Sequence, residues 1–311
     1  MKMLPIIKIM KKIKRKDLAL FAMMIPGVVY LIINNYIPMT GLFIAFKNVN
    51  FAKGIFKSDW NGLANFKFLF STGDAWIITR NTLLYNLAFI ILNIVVGVSL
   101  AIMLNEIRSA RLKKFYQMTI LLPQIISMVV VSYLVYALLS GESGFINNTV
   151  LPLFGKDPIN WYQNKEYWPP ILIFVQVWKT LGYSTLLYLA SVVGIDTSLY
   201  EAAEIDGASK WQQIKCITLP LLRPTMITLT LLMIGRIFYS DFGLFYQVPL
   251  DSGPLYPVTQ TIDTYVYRGL RSMGNIGMSA AAAFYQSIVG FVVVLISNLI
   301  IRKVDKDSAL F

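Results

Sequence analysis

The chain has no histidine among its 311 residues, one cysteine, and only 14% charged residues. Without histidine, imidazole cannot serve as general acid, general base or metal ligand. The lone Cys216 excludes an intrachain disulfide and a cysteine-rich metal site. No G-x-x-x-x-G-K followed by Ser or Thr occurs, so the chain has no P-loop and cannot hydrolyse ATP by that route. The carboxylates are sparse and almost all fall between apolar runs, and no close acidic pair sits within a run to relay protons. There is no low-complexity linker and no clear internal repeat. These absences count against a membrane enzyme and against a proton-coupled carrier. They leave the supply of energy to a partner.

Apolar sequence is abundant instead. Hydrophobic residues make up 56% of the chain, whereas soluble domains carry about a quarter charged residues. A bilayer core of about 30 Å needs about 20 mainly apolar residues per helix. Six stretches qualify: 18–46, 80–104, 117–140, 169–194, 221–245 and 278–301. The expected fold is therefore all-α, a polytopic membrane protein of six transmembrane helices. With the N-terminus inside, segments 1–17, 105–116, 195–218 and 302–311 hold 16 Lys and Arg, against 9 in 47–80, 141–168 and 246–277. That excess puts both termini in the cytoplasm. The net charge of +12 is then explained by basic residues meeting anionic lipid, not nucleic acid. The run Lys11, Lys12, Lys14, Arg15, Lys16 reads as an orientation signal. It is not followed by a small-residue cleavage site, so the first helix is expected to stay uncleaved. The chain divides into a basic N-terminus (1–17), a first helix with an external interfacial segment (18–79), a transmembrane domain (80–302) containing a cytoplasmic loop at 196–219, and a short tail (303–311).

That loop reads EAAEIDGASKWQQIKCITLP over 201–220, polar sequence between two long apolar runs. Ser198 with Glu201, and Ser209 with Gln212, have the spacing of a capping box, in which each side chain satisfies an orphan amide of the other. Gly207 supplies the backbone freedom to close the first helix, and Pro220 is expected to stop the second. The spacing predicts a helix–glycine–helix hairpin on the membrane surface, with Leu199, Ala202, Ala203 and Asp206 on one face.

The residues Glu201, Ala202, Ala203, Asp206, Gly207, Ala208, Ile217, Leu219, Pro220 and Pro224 resemble the EAA loop of ABC importer permeases. Residues 36–46, 62–66, 121–123 and 277–287 are similar to the carbohydrate-uptake branch of that family, particularly permeases for uronate- or rhamnose-containing oligosaccharides. The resemblance implies a type I permease fold and import by alternating access across the bacterial plasma membrane. It implies an extracellular solute-binding protein, a second and similar permease chain, and two ATPase subunits that bind ATP and magnesium, with no cofactor in this chain. It further implies that the 196–219 loop sits in a groove of the ATPase, Glu201 meeting a basic residue there. A permease for another solute class keeps the loop argument and changes the cargo. An ion-coupled secondary carrier would lack a docking loop.

Polar groups inside the apolar runs are candidates for the solute pathway, because burying a charge in hydrocarbon costs several kcal/mol. Lys179 lies about ten residues into the fourth run, near Gln176, Trp178, Tyr183 and Ser184. Aromatic faces and hydrogen-bonding groups suit a sugar, and a lysine suits an acidic one; the other reading is that Lys179 pairs within the protein. Arg236, Tyr239 and Asp241 lie in the outer part of the fifth run. Five residues is a poor helical spacing for a direct ion pair, so Arg236 and Asp241 form either a polar collar or a packing lock. Asn81, Asn86, Asn93, Gln124 and Gln286 are weaker candidates. Pro26 and Pro123 predict kinks, Gly277 and Ser279 to Ala283 predict close helix packing, and Trp161, Tyr162, Tyr167 and Trp168 predict an interfacial belt or a receptor contact.

Overall fold

The computed structural model describes residues 15–304; the lysines before Arg15 and the tail after Val304 lie outside them. The long apolar runs become helices because each backbone amide then finds its partner within the run. Helix α1 (Arg15–Leu31) continues through a π-turn at Ile32–Tyr36 and a 3-10 stretch at Thr40–Phe46. Pro26 lies inside α1 without ending it. No side chain from Leu20 to Thr40 is buried, so this apolar helix is free to face lipid. A two-residue antiparallel ladder follows, β1 (Lys47–Asn48) with β2 (Asp59–Trp60), Lys47 opposite Trp60. The buried Lys47 ammonium donates to the carbonyls of Ile55 and Phe56 and closes this loop.

The remaining main elements are α2 (Ala64–Ser71), α3 (Asp74–Asn105), α4 (Ala110–Ile125), α5 (Met128–Leu139), α6 (Trp168–Val193), α7 (Thr197–Ile205), α8 (Lys210–Ile234), α9 (Ile262–Arg271) and α10 (Ile276–Val304). Among the described residues, five helices are long and apolar enough to cross a membrane, or six if the bent pair α4–α5 is one span. Helix α3 buries Ile78, Thr82, Tyr85, Phe89, Asn93, Gly97, Ala101 and Leu104, the period of a single helical stripe. That stripe lies mainly on α6. The expected close packing of α10 occurs within this chain: Ser279, Ala281 and Ala282 are buried, and a Cβ at Gly277 would lie 2.7 Å from the Asn65 side chain.

Four expectations are corrected. The third run is two helices, bent by 95° at Ile126–Ser127, three residues beyond Pro123. The fifth run stops being helical at Ile234, so Arg236, Tyr239 and Asp241 lie on an irregular segment after it. Pro220 does not stop a helix. The π-turn Ile214–Thr218 directly before it carries the chain across, and no intrahelical donor is needed at a proline placed in the first turn that follows. Nor is Trp168 available to a belt or a receptor: it is fully buried, its indole N–H donating to the Trp161 carbonyl at 2.8 Å, whereas Tyr167 is exposed. Asn147 fixes the same loop, donating to the carbonyls of Ser140, Gly141 and Ile159 and accepting from the Ile159 amide and the Trp161 indole.

The buried apolar side chains form three separate clusters. One joins α3, α5 and α6 around Phe245 and Trp168; one joins α2, α9 and α10 around Ile262 and Met278. The third gathers Val98, Leu104, Tyr188, Val192 and Leu222 at the end of the molecule that carries the 196–219 hairpin. Arg108, Arg111, Lys113 and Lys114 begin α4 or precede it at this same end.

Candidate functional site

The hairpin is built from local signals. Asp196, with extended backbone, caps α7 by accepting the Ser198 amide at 2.9 Å. That backbone hydrogen bond, with a second from the Ser198 hydroxyl, holds the Asp196 carboxyl below its ordinary value. The expected Ser198–Glu201 box does not form, because Asp196 takes the cap and Ser198 becomes part of the helix; Glu201 is left exposed. At the other end the Ala208 amide donates to the Ala203 carbonyl at 2.9 Å and the Gly207 amide to Glu204 at 3.0 Å. This is a Schellman closure, with Gly207 at φ +77°, a conformation side-chain-bearing residues rarely adopt. Ser209 and Gln212 form the second capping box as expected.

Along α7, Leu199, Ala202 and Asp206 are exposed, as are Glu201 and Glu204; Ala203 and Ala208 are half-buried. A surface of small apolar groups edged by carboxylates is therefore presented outward, with Ile205 and Trp211 projecting beside it. The hairpin is tied to the span behind it. The Tyr200 hydroxyl bonds the Thr218 hydroxyl at 2.9 Å, and Thr218 ends the π-turn from which α8 runs. The 16 residues of α8 beyond it, Leu219–Ile234, amount to about 24 Å at 1.5 Å per residue. Tyr200 and Thr218 thus tie α7 to the near end of the span, whose far end is Ile234.

At that far end lies a cavity of about 490 Å³ between α3, α6, α8 and the break after α4. Asn86, Asn93, Gln124, Gln176, Tyr183, Arg236, Tyr239 and Asp241 contribute its polar groups. The Gln176 carbonyl oxygen is buried without a partner. The Asn93 oxygen accepts from Ser184 at 2.9 Å. Asp241 accepts the Leu244 amide at 3.0 Å and so caps the turn that follows. Arg236 is exposed and lines the cavity, and its side chain makes no hydrogen bond or ion pair among the described residues; in particular it does not pair with Asp241. Trp178 and Lys179 do not line the cavity.

Lys179 is paired within the protein. Its ammonium donates to the carbonyls of Pro123, Gln124 and Ile126 where α4 breaks; Pro123 also accepts the Ile126 amide at 3.3 Å. Beside it, Gly182 lets α6 approach α4 so closely that a Cβ would lie 2.0 Å from the Ile120 carbonyl oxygen. Asp263, Gln286 and Asn86 hold the end of α8, and of these sequence reasoning missed Asp263. Asp263 accepts from the Ser240 amide (2.7 Å) and hydroxyl (2.8 Å), and Gln286 donates to the Phe238 carbonyl at 2.7 Å. Asn86 donates to the carbonyls of Ile237 and Tyr239. Gln286 and Asn86 carried a weak signal as polar residues inside apolar runs; Asp263, in a polar segment, carried none.

Comparison with known proteins agrees with this architecture. Residues 93–306 match the family described as binding-protein-dependent transport system inner membrane component. The permease protein of the polygalacturonan/rhamnogalacturonan transport system of Bacillus subtilis (strain 168) is 34% identical, covering 96% of this chain and 95% of its own. A chain in the crystal structure of a bacterial ABC transporter involved in import of the acidic polysaccharide alginate superposes with TM-score 0.86 at 32% identity, over 96% of this chain and 99% of that one. The same kind of transporter, in complex with an alginate pentasaccharide-bound periplasmic protein, gives TM-score 0.84 at 32% identity, over 94% and 96% of the two chains.

Proposed function

Because the chain belongs to the family of binding-protein-dependent transport system inner membrane components, we propose that it is the permease subunit of an ABC importer for a complex oligosaccharide. It spans the plasma membrane several times, and its termini lie in the cytoplasm. An extracellular solute-binding protein delivers the sugar to the face opposite the hairpin. A second, non-identical permease chain completes the translocation path, and two separate ATPase subunits bind ATP and magnesium. This chain supplies no ATPase site of its own.

The observation that carries the reading is the outward face of α7 together with its linkage to α8. Ala202 and Ala203 let another surface approach closely, and Glu201 keeps free acceptors for a basic group on it. Closure of the ATPase pair pushes on α7, Tyr200 and Thr218 pass the displacement to α8, and α8 moves one wall of the cavity. Alternating access follows from that lever. The cavity, with Gln176, Tyr183, Arg236, Tyr239 and Asp241, is the solute site; Lys179 and Trp178 support it from outside. The polygalacturonan and alginate systems among its relatives favour carbohydrate over another solute class. An ion-coupled carrier would have no use for the elbow.

The test is ATP-driven uptake in proteoliposomes holding the full complex. Glu201→Lys and Gly207→Asp should insert normally yet uncouple ATP hydrolysis from uptake. Unimpaired transport by either variant at normal expression would overturn the docking role.

A further inference from the structure

The charges in and around the cavity differ in how they are engaged. Lys179, behind its wall, spends its ammonium on three carbonyls at the α4 break. Asp263, under the end of α8, accepts from Ser240 and Gln286. Asp241, the carboxylate in the lining, caps the next turn through the Leu244 amide. Arg236 is different. It sits two residues past the end of α8 and lines the cavity, and among the described residues its five side-chain donors are uncommitted. The segment carrying it is held rigidly from behind, through Asn86 to the Ile237 and Tyr239 carbonyls and Gln286 to the Phe238 carbonyl. A fork of donors on a fixed backbone is what bidentate carboxylate recognition needs.

We infer that Arg236 selects a sugar acid, its guanidinium taking the uronate carboxylate. This rests on the cavity being the path of a carbohydrate. The physical reason for selection is desolvation. In the open cavity water satisfies the guanidinium, but closure around a solute removes that water. A uronate replaces it with a charge-matched acceptor pair, whereas a neutral sugar leaves the guanidinium, which does not pair with Asp241, without a charged acceptor in a low-dielectric site. Tyr183 and Tyr239, both largely exposed on the lining, supply ring faces and hydroxyls to either kind of sugar and do not discriminate.

The experiment is equilibrium binding to the purified transporter complex without its binding protein, which removes that protein's own preference. The probes are a trimer of galacturonic acid and its full methyl ester, alike in rings and linkages and different in charge. Wild type should bind the acid about 10- to 100-fold tighter than the ester, the range for hydrogen bonds to a charged group. Arg236→Gln should bring the ratio near one by weakening the acid alone, and Arg236→Lys should keep part of it. The Arg236 side chain is exposed and makes no hydrogen bond or ion pair among the described residues, so the variants should purify as wild type does. An unchanged ratio in Arg236→Gln, or an equal loss for both probes, overturns the assignment and leaves carbohydrate transport standing. Wild type that neither binds nor imports either probe, or any neutral oligosaccharide, overturns the carbohydrate reading together with it.

Discussion

Replacing Lys179 by methionine keeps the length of the side chain and removes its charge. The structure makes this a test of the break between α4 and α5. Helix α4 ends at Ile125 and the chain turns by 95°, so the helical run of amide donors to its last carbonyls is lost, Pro123 keeping only the Ile126 amide at 3.3 Å. The Lys179 ammonium serves Pro123 at 3.3 Å, Gln124 at 3.5 Å and, most closely, Ile126. It also places a positive charge at the negative end of the α4 dipole. A hydrogen bond to a charged group is worth about 1.5–3 kcal/mol. Three acceptors share one ammonium, and water from the neighbouring cavity can replace some of what is lost, so the total is about 2–4 kcal/mol and not three times the single value. At about 2–4 °C per kcal/mol for a chain of this size, the midpoint of thermal unfolding in detergent should fall by about 5–10 °C. Lys179→Arg, which keeps the cation, should lose less. The readout is tryptophan fluorescence on heating, with retention on size exclusion as the check. A methionine variant within about 1 °C of wild type would refute the clasp. Loss of sugar binding with unchanged stability would return Lys179 to the solute pathway.

Other expectations follow from individual contacts. Gly182→Val must push α6 off the Ile120 carbonyl, because the new Cβ would lie 2.0 Å from that oxygen. The overpacking should cost about 3 kcal/mol or more and appear as lower yield and a lower unfolding midpoint; a variant as stable as wild type would contradict the packing of α4 on α6. Asp196 gives a pH signature. Its carboxyl is held below its ordinary value of 3.8 by the Ser198 amide and hydroxyl. Its contribution to α7 is therefore complete above pH 3.8 and is lost as pH falls through the lower folded value. Amide exchange across 197–205 should rise at that acid end in wild type, and Asp196→Asn should show no such step.

Much of the molecule was legible in the sequence because the bilayer imposes a simple rule. Runs of apolar residues long enough to cross it must form helices, so the all-α fold, the approximate spans and the 196–219 hairpin could be read directly. Gly207 and the Ser209–Gln212 box are local devices, satisfied by neighbours a few residues away, and they formed as expected. What failed were the places where a backbone group could be satisfied from elsewhere in the chain. The third run breaks because Lys179, 53 residues beyond Ile126, receives the freed carbonyls. The fifth run ends at Ile234 because Asn86, Asp263 and Gln286 hold the segment after it. Ser198 lost its cap to a residue two positions earlier. Sequence alone thus determined which segments are helical, since length and apolarity suffice for that. Tertiary structure decided where those helices stop and which charge remains uncommitted, because that depends on which distant donor or acceptor reaches each orphan group first.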